Sequence, residues 1–138
     1  RNGFDAFPRS AFHGRMKTDA PESLIAIARQ WLACFETHDV DALVSLYAEN
    51  ARHTSPKLRV LMPQTDGCIV GRTALREWWA DAFRRLPQLR YIEQSVTANG
   101  CRVFLEYIRR VPGESDMRVA EAFDIEDGLI RASRVYHG

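Results

Sequence analysis

Charge of one sign, long apolar runs and paired cysteines are all scarce in this sequence of 138 residues. Lys and Arg number 19 against 18 Asp and Glu, which gives a net charge of +1. The sequence therefore predicts no basic face and no nucleic-acid partner. No apolar run approaches the ~20 residues needed to cross a bilayer, so neither a spanning helix nor a membrane partner is expected.

The three cysteines, Cys34, Cys68 and Cys101, are odd in number, lie far apart and form no CxxC pair. Such a set is typical of reduced thiols in a cytoplasmic protein rather than of a disulfide framework. We interpret each as a small buried hydrophobic residue.

The sequence also lacks the short motifs of cofactor and metal enzymes. It contains no GxGxxG, GxxxxGK[ST], HExxH or GxSxG pattern. We therefore expect no cofactor and no metal site. Two classes remain open, which are a cofactor-free acid–base site and a binding pocket without catalysis.

The composition, with 46% hydrophobic and 27% charged residues, is that of one globular domain with a buried core. Residues 1–17 carry four basic residues against one acidic, show no helical or strand period and lack the apolar core of a signal peptide. We interpret residues 1–19 as an N-terminal extension and residues 20–138 as a single domain.

Apolar residues recur at helical spacing in two long stretches, which predict helices over residues 20–37 and 73–86. Between them, Asp39 is a good N-cap for a short helix. Residues 57–70 have no stable period and predict a mobile loop with a short strand at 68–70.

From Leu89 onward the pattern is that of strands. Asn99-Gly100 suits both central positions of a type I′ hairpin turn, which would set Val96 opposite Val103. A second hairpin turns at Asp127-Gly128 and joins strands over 117–126 and 129–137. Helices followed by mostly antiparallel strands predict an α+β fold.

Residues 35–56 organise the chain, because there the helical layer gives way to the first extended segment. Its alternation sets Ala51, His53 and Ser55 on one side. The motifs HDVDALVSLYAENARHTSP, the GR that begins the next helix, and FDIEDGLIRASRVYHG together resemble the NTF2-like superfamily over residues 22–137. The similarity is to its SnoaL-like and ketosteroid-isomerase-like branches. It implies a cone-shaped α+β barrel, in which three N-terminal helices pack on a curved sheet around a cavity, and a homodimer through the outer sheet face.

The resemblance also implies positions for site residues. Where ketosteroid isomerases carry the general base this chain has Ser55, and where they carry the oxyanion-binding Tyr it has Trp31. Both differences argue against steroid-type isomerisation, because Ser has little basicity and an indole N–H only donates. The position of their protonated Asp corresponds to Glu121 if the last hairpin carries a bulge, and to Ala120 if its turn is strict.

A second branch, that of the limonene-epoxide hydrolases, uses an Asp-Arg-Asp set. The matching positions here are Tyr107, Arg109 and Val135, which include no carboxylate. That mechanism is not expected for this chain.

His53 and Glu121 are the candidate catalytic residues. His53 can accept a proton near neutral pH, and Glu121 interrupts an apolar strand face where burial would raise its pKa. Two alternatives stay open, namely a structural histidine at position 53 and an ion pair of Glu121 with Arg134 or Arg109. The predicted ligand-binding residues are Trp31, Tyr47, Ser55, Trp78, Tyr107, Arg109, Ser133 and Val135.

These features together predict a small-molecule-binding protein and a cofactor-independent acid–base enzyme of the isomerase, cyclase or hydrolase type. Its ligand would be apolar and either carbonyl-bearing or cyclic, held in a deep cavity. The alternative is a non-catalytic ligand-binding protein or dimeric scaffold with the same fold.

Overall fold

Four α-helices and six β-strands make up the part of the chain that the computed structural model describes, residues 20–138. The proposed extension, residues 1–19, lies outside the described residues. The helices are α1 (Pro21–Thr37), α2 (Val40–Ser45), α3 (Pro56–Leu61) and α4 (Arg72–Arg85). The strands are β1 (Tyr47–Thr54), β2 (Cys68–Val70), β3 (Arg90–Asn99), β4 (Arg102–Arg110), β5 (Met117–Glu126) and β6 (Leu129–His137). A 3-10 turn, Pro63–Thr65, follows α3.

The six strands form one curled, unclosed sheet in the order β2-β1-β6-β5-β4-β3. Strands β1 and β6 are parallel, and all the other neighbours are antiparallel. The predicted α+β fold is confirmed. The sequence predicted three helices, but residues 20–138 form four, because α3 was not predicted.

Helix α1 packs across β3 and β4 through one apolar face. Leu24, Ala28, Trp31 and Phe35 are at most 2% exposed and recur three to four residues apart. This spacing places them on one side of the helix, and they form the core with the concave face of the sheet.

The short helix α2 begins as predicted. The Asp39 carboxylate accepts a hydrogen bond from the Ala42 N–H at 3.0 Å. This contact satisfies a backbone donor that the first turn of a helix leaves unpaired.

The predicted loop over residues 57–70 is largely wrong, although its short strand is confirmed as β2. Ser55 is the N-cap of α3, because its hydroxyl accepts from the Lys57 N–H at 3.2 Å. Pro56 occupies the first turn, where a missing N–H costs nothing. Leu58 is the buried residue of α3, so a helix this short shows no apolar period in the sequence.

The hairpin between β3 and β4 turns at Gly100-Cys101 instead of Asn99-Gly100. Asn99 pairs with Arg102, and Val96 therefore lies opposite Leu105 rather than Val103. Gly100 has a positive φ of 65°, as a turn with glycine in its first central position requires. The shift of two residues leaves Ser95 to Asn99 on their predicted face. A bulge between Glu93 and Ser95 changes the register by one residue, so Ile92 lies opposite Ile108 and the residues before the bulge lie on the face opposite to the predicted one.

The last hairpin carries a bulge. Ile125 pairs with Ile130 whereas Asp124 pairs with Ala132, so Arg131 is an extra residue in β6. Asp127 and Gly128 both have positive φ, as a type I′ turn needs. The family resemblance assigned the acidic position of the ketosteroid isomerases to Glu121 if this hairpin carries a bulge, and to Ala120 if it does not. Because the bulge is present, Glu121 corresponds to that position.

All three cysteines are free thiols, but the prediction that each is buried is confirmed for Cys34 only, because Cys68 is partly buried and Cys101 is exposed. Cys34 is buried, whereas Cys101 lies exposed in the turn between β3 and β4. Within residues 20–138, no helix combines the length and the apolar character that crossing a membrane requires.

Candidate active site

A cavity of about 270 Å³ lies between the concave face of the sheet and helices α1, α3 and α4. Eight of the ten predicted site residues line it: Trp31, His53, Ser55, Trp78, Tyr107, Arg109, Glu121 and Val135. Tyr47 and Ser133 do not line it, and they form hydrogen bonds to residues that do.

Glu121 projects from β5 and is 1% exposed. Its Oε1 accepts a hydrogen bond from the Tyr107 hydroxyl at 3.2 Å, and its buried Oε2 has no hydrogen-bond partner among residues 20–138. Burial raises the pKa of Glu121 to about 8, although the hydrogen bond from Tyr107 acts in the opposite direction. Near pH 7 this carboxyl group is therefore mostly protonated.

Neither predicted ion pair of Glu121 is formed. Arg134 pairs with Asp124 at 2.8 Å, and Arg109 contacts Glu114 at 3.5 Å. Asp124 and Arg134 belong to the opposite face of the sheet, because their side chains alternate with those of Glu121 and Val135.

His53 projects from β1 towards the same cavity and is 3% exposed. Its Nδ1 lies 2.7 Å from the Ser133 hydroxyl oxygen, and its ring packs 5.2 Å from that of Trp79. Burial lowers the pKa of His53 to about 4. The imidazole is therefore neutral at physiological pH.

A chain of hydrogen bonds behind the cavity wall ends at His53. The Trp31 indole N–H donates to the Tyr47 hydroxyl at 3.0 Å, and that hydroxyl lies 3.5 Å from the Ser133 hydroxyl. An indole nitrogen only donates, so Tyr47 accepts from it and has one proton left to give. If that proton goes to Ser133, then Ser133 donates to Nδ1 of His53 and every hydroxyl proton is used. The opposite direction leaves the Tyr47 proton buried without an acceptor among residues 20–138, which is costly.

This direction determines the tautomer of His53. With Nδ1 accepting, the ring proton is on Nε2, and the neutral imidazole offers a donor to the cavity. The predicted role of Trp31 as a hydrogen-bond donor to a ligand does not fit, because its N–H is occupied by Tyr47.

Aromatic rings form the wall of the cavity. Tyr91 stacks on Phe35 with centroids 4.3 Å apart, and it lies 4.3 Å from Tyr107. Burial raises the pKa of both tyrosines, and the nearby Glu121 raises them further, so both hydroxyls stay protonated. The sequence reasoning missed Tyr91, because the bulge between Glu93 and Ser95 sets it opposite Arg109 on the cavity side, and no local pattern predicted that bulge.

The mouth of the cavity is lined by four charged side chains and one histidine. Arg109 was predicted from the sequence. Lys57, Arg85, Glu114 and His137 were not. Lys57 was missed because α3 was read as a loop. The Ser55-Pro56 pair, a cap followed by a favoured first-turn residue, is the signal that would have found this helix.

No group of three or more His, Cys, Asp or Glu side chains that could hold a metal ion occurs within residues 20–138.

Comparison with known proteins gives one family and many similar folds. The model of the SnoaL-like domain matches residues 28–133. A search of curated proteins found no match.

Among solved structures, a SnoaL-like protein of unknown function from Burkholderia thailandensis E264 has a TM-score of 0.80 at 20% identity, covering 88% of this chain and 99% of the other. An NTF2-like protein of unknown function from Mesorhizobium loti has a TM-score of 0.72 at 24% identity, covering 88% and 96%. TerC, co-crystallised with polyporic acid, has a TM-score of 0.71 at 16% identity, covering 84% and 92%.

Proposed function

Because the chain belongs to the SnoaL-like domain family, we propose that its cavity binds a small carbonyl-bearing molecule and moves a proton within it without a cofactor. The reaction class is isomerisation or ring closure next to a carbonyl group. The co-crystallisation of TerC, a protein of this fold, with polyporic acid supports the use of the fold to bind organic molecules.

The observation that carries the proposal is the environment of Glu121. A buried carboxyl oxygen without a protein partner is uncommon and suggests a functional reason for its position. A pKa of about 8 brings the group near physiological pH, where a general base or acid is most effective. Glu114, the other carboxylate of the cavity lining, has a half-exposed side chain and contacts Arg109.

His53 is proposed as the group that holds the carbonyl oxygen. The sequence suggested His53 as a proton acceptor, but a pKa of about 4 makes it a weak base. A neutral imidazole that donates through Nε2 can instead polarise a carbonyl group. Triosephosphate isomerase pairs a glutamate base with a neutral histidine in the same way.

The spacing of the two residues suits a ligand placed between them. His53 lies opposite Ser133, and Glu121 lies opposite Val135, two residues further along β6. Because β6 separates their strands, the two backbones are about 10 Å apart across the sheet and about 7 Å apart along it. Side chains extending into the cavity from both positions leave room for a small ring.

The proton moves between Glu121 and the carbon atoms of the ligand. In a β,γ-unsaturated ketone, ionised Glu121 takes a proton from the α-carbon, the C–H electron pair forms an α,β C=C bond, and the carbonyl π pair moves to oxygen. His53 holds the resulting dienolate through its Nε2–H. When the oxygen lone pair re-forms the carbonyl, the β,γ π pair takes the proton back from Glu121 at the γ-carbon, so the net change is the movement of the double bond from β,γ to α,β. In ring closure, the enolate carbon attacks a second carbonyl of the same ligand, and Glu121 protonates the new alkoxide.

Deuterium incorporation tests the proposal without knowledge of the substrate. Cyclohexanone in D₂O exchanges the hydrogens next to its carbonyl through the enolate, and ¹H NMR follows the loss of signal. We expect the protein to accelerate this exchange, and we expect Glu121→Gln to lower the rate by about 10²- to 10⁴-fold, the usual contribution of a general base. Glu106→Gln, on the outer face of β4, is the matched control and should leave the rate unchanged. Exchange no faster than in buffer, or equal in wild type and Glu121→Gln, would reject the proposal.

One observation favours the second candidate, a non-catalytic binding protein. At pH 7 the Glu121 carboxyl is mostly protonated, so together with His53 it offers two hydrogen-bond donors to one carbonyl group. A binding protein would bind the ketone without accelerating deuterium exchange. The pH dependence separates the two as well, since an exchange rate limited by Glu121 as base rises as pH approaches about 8.

A further inference from the structure

Basic side chains from three different elements meet at the mouth of the cavity. Lys57 comes from α3, Arg109 from β4 and His137 from β6. They are close enough to repel one another. Burial lowers the pKa of Lys57, and the charge of Arg109 lowers it further; burial also lowers the pKa of His137, with further contributions from Lys57 and Arg109.

The charge of Arg109 is poorly compensated within the chain. Its side chain is only 6% exposed, and its contact with a described residue is a 3.5 Å hydrogen bond to Glu114, whose side chain is 50% exposed. A guanidinium carries five N–H donors, so most of those on Arg109 are not used by residues 20–138. The neighbouring Arg110 differs, since it is exposed and binds both oxygens of Asp116, the closer at 2.8 Å.

Lys57 adds a second charge without a partner. Its ammonium group makes no ion pair with residues 20–138, and its backbone N–H donates to Ser55. Arg85, also at the mouth, pairs with Asp81 at 2.7 Å. The cavity lining therefore holds three cationic side chains, Lys57, Arg85 and Arg109, and two acidic ones, Glu114 and Glu121, of which Glu121 is mostly protonated at pH 7.

From this arrangement we propose that the mouth is an anion subsite, in which Arg109 and Lys57 bind a carboxylate of the ligand. An arginine fork binds both oxygens of a carboxylate, and the lysine adds a point charge beside it. The inference rests on the proposed function, because it assigns the inner end of the ligand, with its carbonyl, to Glu121 and His53.

The pairing of β4 with β5 determines the distance between the carbonyl and the carboxylate of the ligand. Glu121 lies opposite Leu105, whereas Arg109 is four residues further along β4, about 13 Å at the spacing of a strand. Carbonyl and carboxylate therefore stand at opposite ends of the ligand and not on adjacent carbons. The ligand class is a cyclic oxo-carboxylic acid small enough for a cavity of about 270 Å³.

Three probes separate the contributions of the two ends. They are 4-oxocyclohexanecarboxylate, its methyl ester, which keeps the ketone and loses the charge, and cyclohexanecarboxylate, which keeps the charge and loses the ketone. All three tryptophans of the chain, Trp31, Trp78 and Trp79, line the cavity, so intrinsic fluorescence reports on its occupancy. Titrations use the full chain at pH 7 and low ionic strength.

We expect the oxo-carboxylate to bind at least tenfold more tightly than its ester. Lys57→Gln and Arg109→Gln should each reduce this ratio towards one while affinity for the ester stays within about twofold. Arg110→Gln is the matched control and should preserve the ratio. Because Lys57 and Arg109 belong to different elements, a folding defect in one variant leaves the other informative.

A ratio near one in the wild type, a ratio that survives both substitutions, an equal loss in Arg110→Gln, or no binding of any probe at millimolar concentration would overturn the subsite. Deuterium exchange in the bound ester reports separately on Glu121. Selective binding of the carboxylate without exchange in any probe would leave the subsite standing and reject the proposed proton transfer.

Discussion

The hydroxyl oxygen of Ser133 lies 2.7 Å from Nδ1 of His53, across the parallel pair of strands β1 and β6. Both side chains are almost fully buried, so this contact is strong and constrains the ring. Behind it, the Trp31 N–H gives the hydrogen-bond chain its direction through Tyr47. Ser133, which the sequence suggested as a ligand-binding residue, thus contacts His53 instead.

The first prediction concerns the tautomer of His53. We expect ¹⁵N NMR of the imidazole to show the proton on Nε2 and a ring that stays neutral down to about pH 4. Ser133→Ala removes the donor to Nδ1, so it should make the two tautomers comparable in population and slow deuterium exchange of cyclohexanone several-fold. Ser133→Thr keeps the hydroxyl and should restore the wild-type spectrum. A proton on Nδ1 in the wild type would make His53 a base and contradict the assigned roles.

The second prediction concerns Arg72, which follows the glycine at the start of α4. Its guanidinium donates twice to the Tyr47 carbonyl oxygen, at 2.8 and 2.6 Å, and so fixes the beginning of β1. Hydrogen bonds from charged groups contribute about 1.5–3 kcal/mol. Arg72→Met should therefore lower the free energy of unfolding by about 2 kcal/mol, and Arg72→Lys by less, in urea denaturation.

Arg76 provides the control for this measurement. It pairs with Asp41 on the surface, where both side chains are about half exposed or more. Exposed ion pairs contribute about 0–1 kcal/mol, so Arg76→Met should cost little. Equal losses in Arg72→Met and Arg76→Met would show that the contact with Tyr47 has no special weight.

The sequence predicted the fold well because its strongest signals are local. The Asp39 cap, the strand bounds 117–126 and 129–137, and the alternation around His53 each depend on a few neighbouring residues. The residue that lies opposite Glu121 in β6 does not. Its pairing with Val135 rather than Arg134 depends on the extra residue Arg131, and nothing near Arg131 in the sequence marks a bulge.

The missed parts of the site share one physical reason. Helix α3 has a single buried residue, Leu58, so periodicity could not reveal it, and Lys57 was lost with it. The direction of the hydrogen-bond chain depends on Trp31 and Tyr47, which are 16 residues apart in the sequence and meet only in the folded protein. Tertiary contacts of this kind leave no local pattern.

The third prediction concerns the homodimer that the family resemblance implies, which stays a prediction. The outer face of the sheet exposes Phe104 by 40% and Tyr136 by 52%, with Ala120 and Ala122 on the same face between them. Exposed aromatic residues on one face are typical of an interface. We expect sedimentation to show a dimer that Phe104→Glu dissociates.

Val60→Glu is the matched control for the dimer. Val60 is 76% exposed, but it lies on α3 and not on the sheet. It should leave the mass of the particle unchanged. A wild-type monomer, or dissociation by Val60→Glu alone, would contradict an interface on the outer sheet face.

The last prediction concerns stability against pH. The pKa of Glu121 is about 8 in the folded protein and near 4.5 when unfolded, so its stabilising contribution is complete below pH 4.5 and is lost as pH rises to about 8. His53, lowered from 6.5 to about 4, opposes this trend between pH 4.5 and 6.5, because there the unfolded state binds its proton. His137, whose pKa burial also lowers, acts in the same direction as His53, and comparison with Glu121→Gln at each pH removes both effects. One pKa unit corresponds to about 1.4 kcal/mol, so the loss of stability between pH 6.5 and 8 is at most about 2 kcal/mol.

The substitution Glu121→Gln tests this expectation, because glutamine keeps the shape of the protonated acid and cannot ionise. Its stability relative to wild type should therefore increase by about 1–2 kcal/mol between pH 6.5 and 8 in urea denaturation, whereas Glu106→Gln should show no such trend. A difference between wild type and Glu121→Gln that does not change with pH would mean that Glu121 is ionised in the folded protein throughout this range, and it would contradict the pKa of about 8.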